Sequence, residues 1–146
     1  MSDTTARLIR HFHATPDRVF DAWTDPSLLA QWYSPNPGLE VTFEGEVVEG
    51  SDYVLTMGGQ YVARGTYRVV DRPHALEFTW AWDHEDGAPS VVRVDIDRTS
   101  DGTTRLTLVH SDLPSADDAT GHAEGWDLQL NRLVVLLGCD RWPAVG

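Results

Sequence analysis

Two hydrophobic periods divide this chain, and their order restricts it to a small set of folds. From Val41 to Ser111 apolar and polar residues alternate with period two, interrupted by turn signals. From about Ser115 to Leu137 the period becomes helical, with Ala119, Ala123, Trp126, Leu130, Leu133 and Leu137 recurring at i, i+3, i+4 and i+7. A run of half-buried strands followed by one long amphipathic helix describes an antiparallel sheet with the helix laid along its apolar face.

The residues before this run complete the order. Ala6 to His13 alternate as a strand, with Leu8 and Phe12 on one face and His11 and His13 on the other. Thr15-Pro16 reads as an N-cap with proline in the first turn, and Val19, Phe20 and Trp23 share the face of a helix that runs out near Thr24-Asp25-Pro26. A second short helix, about Ser27 to Trp32, presents Leu28, Leu29 and Trp32 before the breaker run Ser34-Pro35-Asn36-Pro37-Gly38.

Within the alternating region Val41 and Phe43 share a face, as do Tyr53, Leu55 and Met57, and Gly58-Gly59 turns into Gln60 to Val70. Leu76, Phe78, Trp80 and Trp82 give the next strand an aromatic inner face, and the loop His84 to Pro89 turns it. Val92, Val94 and Ile96, then Ser100-Asp101-Gly102, then Leu106, Leu108 and His110 form the last hairpin. Pro114-Ser115 with Asp118 signals the start of the long helix and Gly138 its stop. The expected fold is α+β, with an antiparallel sheet of about seven strands in the order β-α-α-β6-α. Residues 1–146 read as a single domain, since no repeat, linker or low-complexity tract interrupts them.

Composition narrows the chemistry. Eleven basic against 23 acidic residues give a net charge of -12, the wrong sign for nucleic acid or an anionic membrane. Every basic residue is arginine, which removes lysine Schiff-base chemistry and the lysine of a phosphate loop. A lone cysteine, Cys139, forms no internal disulfide, so a reducing compartment is expected. No stretch approaches the ~18 apolar residues of a membrane span, and the first residues lack the apolar core of a signal peptide. A cytoplasmic protein without membrane insertion is expected. Six Trp, four Tyr and four Phe supply a core of large side chains and a first hint of a cavity.

Several short motifs, in order, carry a resemblance. They are Arg10-His11-Phe12-His13-Ala14, Val19-Phe20-Asp21-Ala22-Trp23-Thr24-Asp25-Pro26, Trp32-Tyr33-Ser34-Pro35, Gly65-Thr66-Tyr67, Phe78-Thr79-Trp80-Ala81-Trp82 and Gly125-Trp126. With them the chain resembles, nearly end to end, the heat-shock-protein-90 ATPase-activator-like branch of the START, or birch-pollen-allergen-like (SRPBCC), superfamily. The resemblance implies a helix-grip fold, a curved antiparallel sheet wrapped around the long C-terminal helix with an elongated cavity between them. The chain departs from the family where a double glycine usually precedes the tyrosine: Gly50 is followed here by Ser51 and Asp52. The superfamily hosts ligand carriers, cyclases and co-chaperones on one scaffold, so fold alone does not select among them.

If the apolar faces are the inner ones, Trp32, Phe43, Trp80, Trp82 and Trp126, with Leu130 of the final helix, line an apolar pocket. Arg10, Tyr53 and His110 then point inward as the polar groups that orient a ligand. The competing account is a satisfied structural network, such as Arg10 paired with an acid. His11 and His13 share an outward face without a third ligand at fixed spacing, and His84-Glu85-Asp86 reads as a hairpin loop, so neither metal nor cofactor is expected. Gly125 reads as a site of close approach between helix and sheet, and Gly121 as close packing or a flexible start.

Three functions fit. The first is binding of a hydrophobic or aromatic small molecule in the cavity. The second is a cyclase- or dehydratase-like enzyme in the same pocket with His110 as acid/base. The third is a co-chaperone-like module docking on a chaperone, although 146 residues leave no room for the further domain of the eukaryotic activator. The open sheet edges also admit a homodimer.

Overall fold

The computed structural model describes residues 4–34, 36, 38–83 and 89–138. Among them the chain forms β1 (Ala6–Phe12), α1 (Pro16–Thr24), α2 (Pro26–Trp32), β2 (Val41–Gly45), β3 (Asp52–Met57), β4 (Tyr61–Asp71), β5 (Ala75–Trp82), β6 (Ser90–Arg98), β7 (Thr104–Ser111) and α3 (Ala116–Gly138). The order is the one the two periods predict. Cys139 and His84-Glu85-Asp86 lie outside the described residues.

Each helix starts where a side chain can satisfy its orphan amides. Thr15 Oγ1 accepts from the Arg18 amide at 3.2 Å, with Pro16 in the first turn of α1. Asp25 Oδ1 accepts from the Ser27 amide at 2.9 Å and opens α2 directly behind α1. Ser115 and Asp118 form the reciprocal cap of α3: the Asp118 amide donates to Ser115 Oγ at 3.1 Å, and Ser115 Oγ donates to Asp118 Oδ2 at 2.8 Å.

The seven strands form one antiparallel sheet in the order β1-β7-β6-β5-β4-β3-β2. Strands β2 to β7 meander, each beside its predecessor, while β1 joins β7 at the far edge, so α1 and α2 carry the chain from one edge of the sheet to the other. Two features between β3, β4 and β5 bend the sheet. The register shifts between Tyr67 and Val69, the signature of a bulge. Gly65 lies so close to β5 that a Cβ there would stand 1.9 Å from the Thr79 carbonyl oxygen and 2.7 Å from the Tyr53 ring. Only a residue without a side chain fits. Tyr53, the register partner of Gly65, reaches across it and donates its hydroxyl to Thr79 O at 2.6 Å. The result is a curved α+β sheet gripping a long C-terminal helix.

The core fills the concave face. Leu55, Leu76, Phe78, Val92, Val94, Ile96, Leu106 and Leu108 come from the strands, and Trp126, Leu130, Leu133 and Leu137 from α3, all buried. Trp23 and Trp32 from α1 and α2 close one end, edge to face at 4.7 Å between ring centroids. The convex face carries charge instead, with Arg64–Asp83, Arg68–Glu77 and Arg93–Asp95 among its ion pairs. No helix among the described residues is long and apolar enough to cross a membrane.

Candidate functional site

Between the first four turns of α3 and the inner faces of β3 to β5 the core stops short of filling the space. The gap is a cavity of about 390 Å³, within the range of small-molecule sites. Met57 of β3, Tyr61 of β4, Trp80 and Trp82 of β5 and Leu39 ahead of β2 line the sheet side; Asp117, Asp118, Gly121, His122, Gly125, Trp126 and Gln129 line the helix side.

Two glycines, Gly121 and Gly125, stand on the helix side of this space. A Cβ built at Gly121 or at Gly125 meets nothing within 4 Å. The close-packing role expected for them is therefore corrected: spaced by one helical turn, they leave bare backbone where side chains would fill the gap. Keeping two glycines inside a helix costs about 1 kcal/mol each relative to alanine.

Trp80 and Trp126 are held by a chain of hydrogen bonds whose direction can be assigned throughout. Trp126 Nε1 donates to His110 Nδ1 at 3.1 Å. An indole nitrogen only donates, so Nδ1 is the bare nitrogen and Nε2 carries the hydrogen. That hydrogen goes to Ser90 Oγ at 2.7 Å, and the Ser90 hydroxyl donates to the Trp80 carbonyl at 3.0 Å. One wall of the cavity is thus tied to the other through a fully buried histidine. Burial, with His122 nearby, pushes the His110 pKa down to about 3. The neutral His110 imidazole thus has both nitrogens engaged, by Trp126 and by Ser90.

Of the residues the sequence singled out, the structure brings Trp80, Trp82 and Trp126 onto the cavity wall. The others lie off it, each for a specific reason. Arg10 sits on the edge strand β1 beside α3 and pairs with Asp127, the structural alternative weighed from the sequence. Tyr53 spends its hydroxyl on Thr79 O, and burial pushes its pKa up, keeping the phenol neutral. Phe43 stacks on the Tyr53 ring at 5.9 Å. Trp32 is fully buried off the cavity wall and donates to the Ala22 carbonyl at 2.9 Å. Leu130 lies deeper in the core.

Sequence reasoning missed His122, Gln129 and the acidic pair Asp117-Asp118. His122 stands 4.4 Å from the His110 ring and stacks against Trp82 at 6.5 Å, between ring centroids. The signal was a second stripe on the long helix, Asp118, Gly121, His122, Gly125 and Gln129, helical in period but polar or small where a packing face would be apolar. Among the described residues three buried side-chain nitrogens find no partner, Trp23 Nε1, Trp80 Nε1 and Gln129 Nε2. Two of the three belong to side chains of the cavity wall. No group of three or more His, Cys, Asp or Glu that could hold a metal occurs among the described residues.

Comparison with known proteins places this geometry in a family. No curated protein matches the chain. Among solved structures, protein CV1439 from Chromobacterium violaceum superposes with a TM-score of 0.82 at 26% identity, over 92% of this chain and 97% of that one. The AHSA1 (SPO3351) protein from Silicibacter pomeroyi is 30% identical with a TM-score of 0.79, over 94% and 99%. DynU16, a protein of the dynemicin biosynthetic locus, shares the fold at 21% identity and a TM-score of 0.79, over 92% of this chain and 47% of that one. The sequence profile of the activator of Hsp90 ATPase homolog 1-like proteins matches residues 13–138, and the chain belongs to that family.

Proposed function

We propose that the protein binds a hydrophobic, aromatic small molecule in the cavity between α3 and the sheet. One observation carries this reading: a cavity of about 390 Å³ lies between α3 and the sheet, walled by three tryptophans, with Gly121 and Gly125 on its helix side. A helix that gives up propensity at two positions to keep a gap beneath it is built around the gap. The wall suits an aromatic guest, because Trp80, Trp82 and Trp126 offer both ring faces and edges. DynU16, of the dynemicin biosynthetic locus, has the same fold.

The test is a calorimetric titration with 4-acetylbiphenyl, an elongated neutral aromatic probe, run on the wild type and on Gly125→Leu. Saturable 1:1 binding that disappears in the folded variant is expected. Equal binding by both proteins, or none by the wild type, refutes the reading.

A cyclase- or dehydratase-like reaction in the same cavity is the second reading, favoured by His122 on the wall. It moves the acid/base group from His110 to His122. Product formed at the same rate by wild type and His122→Asn removes it.

A further inference from the structure

Helix α3 is fastened to the molecule unevenly. In its second half Trp126, Leu130, Leu133 and Leu137 are buried, and Trp126 donates to His110. Arg132 adds two ties, donating to the carbonyls of Gln31 at 2.8 Å and Ser34 at 2.5 Å, so this half is pinned to the sheet and to α2 together. The first half, residues 116–125, is held far more lightly. Ala119 is its one buried side chain, and His122 is half-buried with its ring against Trp82 and His110. Ala116, Asp117, Thr120, Gly121 and Glu124 are exposed.

Local energetics divide the helix at the same place. A stretch this short falls below the ~12–15 residues that an isolated helix needs in water, so it depends on its packing and its cap. The cap is the Ser115–Asp118 pair. Gly121 and Gly125 each move the balance toward the open chain by roughly fivefold relative to alanine. A methyl group at either position meets nothing within 4 Å, so no close packing of the glycines offsets this. Gly125 is also the last residue before the pinned half begins. Most of the helix side of the cavity, from Asp117 and Asp118 through Gly121 and His122 to Gly125, belongs to the lightly held half.

We infer that residues 116–125 form a door: they unwind as one unit up to Gly125 and uncover the cavity, while residues 126–137 stay docked. The opening is a property of the chain alone. Its use as the route of a guest rests on the reading that the cavity takes a ligand. The unit has a defined signature, because each helical amide donates to the carbonyl four residues earlier. Releasing carbonyls 116–125 frees amides up to Gln129 and none beyond. Fraying from the end would instead release them in a gradient.

Native-state hydrogen exchange of the wild type reads the door directly. Amides 120–129 share one level of protection, at least 100-fold below that of amides 130–137, with a step between Gln129 and Leu130. Low concentrations of urea speed exchange at 130–137 and leave 120–129 unchanged, since the local opening exposes little surface. The variant Gly121→Ala/Gly125→Ala slows exchange at 120–129 about tenfold. A gradient without a step, or a block that follows urea as 130–137 does, overturns the inference with no ligand involved. Stopped-flow tryptophan fluorescence with 4-acetylbiphenyl then tests the route: association is about tenfold slower in the same variant, because only the open fraction admits the guest. An unchanged association rate overturns the door as the route. Absence of binding by the wild type refutes the ligand-binding reading and the route with it, while the exchange data still decide the opening.

Discussion

Replacing Gly121 and Gly125 together by alanine should make this protein more stable. The cost of glycine in a helix interior is about 1 kcal/mol relative to alanine, from backbone freedom lost on folding. A glycine packed tightly against a sheet offers no such gain, because the new methyl group collides, but Gly121 is exposed and Gly125 half-buried. Here the methyl carbons at both positions meet nothing within 4 Å, so the propensity term stands unopposed. Part of it acts through the unfolded chain, and the double variant gains about 1–2 kcal/mol. In a domain of 146 residues this raises the melting temperature by roughly 3–7 °C. Calorimetric or circular-dichroism melts at neutral pH check it, with titration of 4-acetylbiphenyl on the same samples. A lower melting temperature means that the Cβ positions are packed and the cavity floor is misplaced. A higher one with binding retained is the expected outcome, since two methyl groups leave most of the cavity free.

Other substitutions test separate parts of the account. Gly65→Ala places a methyl carbon 1.9 Å from the Thr79 oxygen and destabilises by about 4 kcal/mol or more, or prevents folding, in urea titration; a loss below about 1 kcal/mol contradicts the strand geometry. For His110 the folded pKa of about 3 lies below the unfolded value near 6.5, so its stabilisation is complete above pH 6.5 and is lost as the pH falls toward 3. The stability gap between wild type and His110→Gln therefore narrows by up to about 1.4 kcal/mol per pH unit in that window, as measured by urea unfolding at pH 7, 5.5 and 4.5; a constant gap refutes the neutral-imidazole network. Arg10→Leu breaks a half-exposed ion pair and costs about 1 kcal/mol or less, with calorimetric binding of 4-acetylbiphenyl unchanged. Loss of that binding would return Arg10 to the site.

The elements were legible because each is specified locally. Alternation, helical spacing, the Thr15-Pro16 and Ser115–Asp118 caps and the glycine turns depend on neighbours a few residues away. The order of strands follows almost directly, since short turns make consecutive strands adjacent. The site was less legible, because its logic is spatial. Alternation places Arg10 and Tyr53 on inner faces but does not say that an α3 carboxylate or the Thr79 carbonyl waits there. His110 sits on the inner face as its spacing indicates, yet Trp126 and Ser90 consume both its nitrogens. The glycines show the limit most sharply. Gly65 and Gly125 look alike in sequence, but one is forced by a collision and the other opens a space. Only the position of the facing strand separates the two.

The central claim is that the space between α3 and the aromatic strand takes a ligand, and indole N–H resonances report on it directly. In a two-dimensional NMR titration with 4-acetylbiphenyl, the Nε1–H signals of Trp80, Trp82 and Trp126 should shift together and saturate together. That of Trp32, off the cavity wall and donating to the Ala22 carbonyl, should hold still. Shifts at Trp32 without shifts at Trp80 and Trp126, or no saturable shift at any indole, would contradict the account.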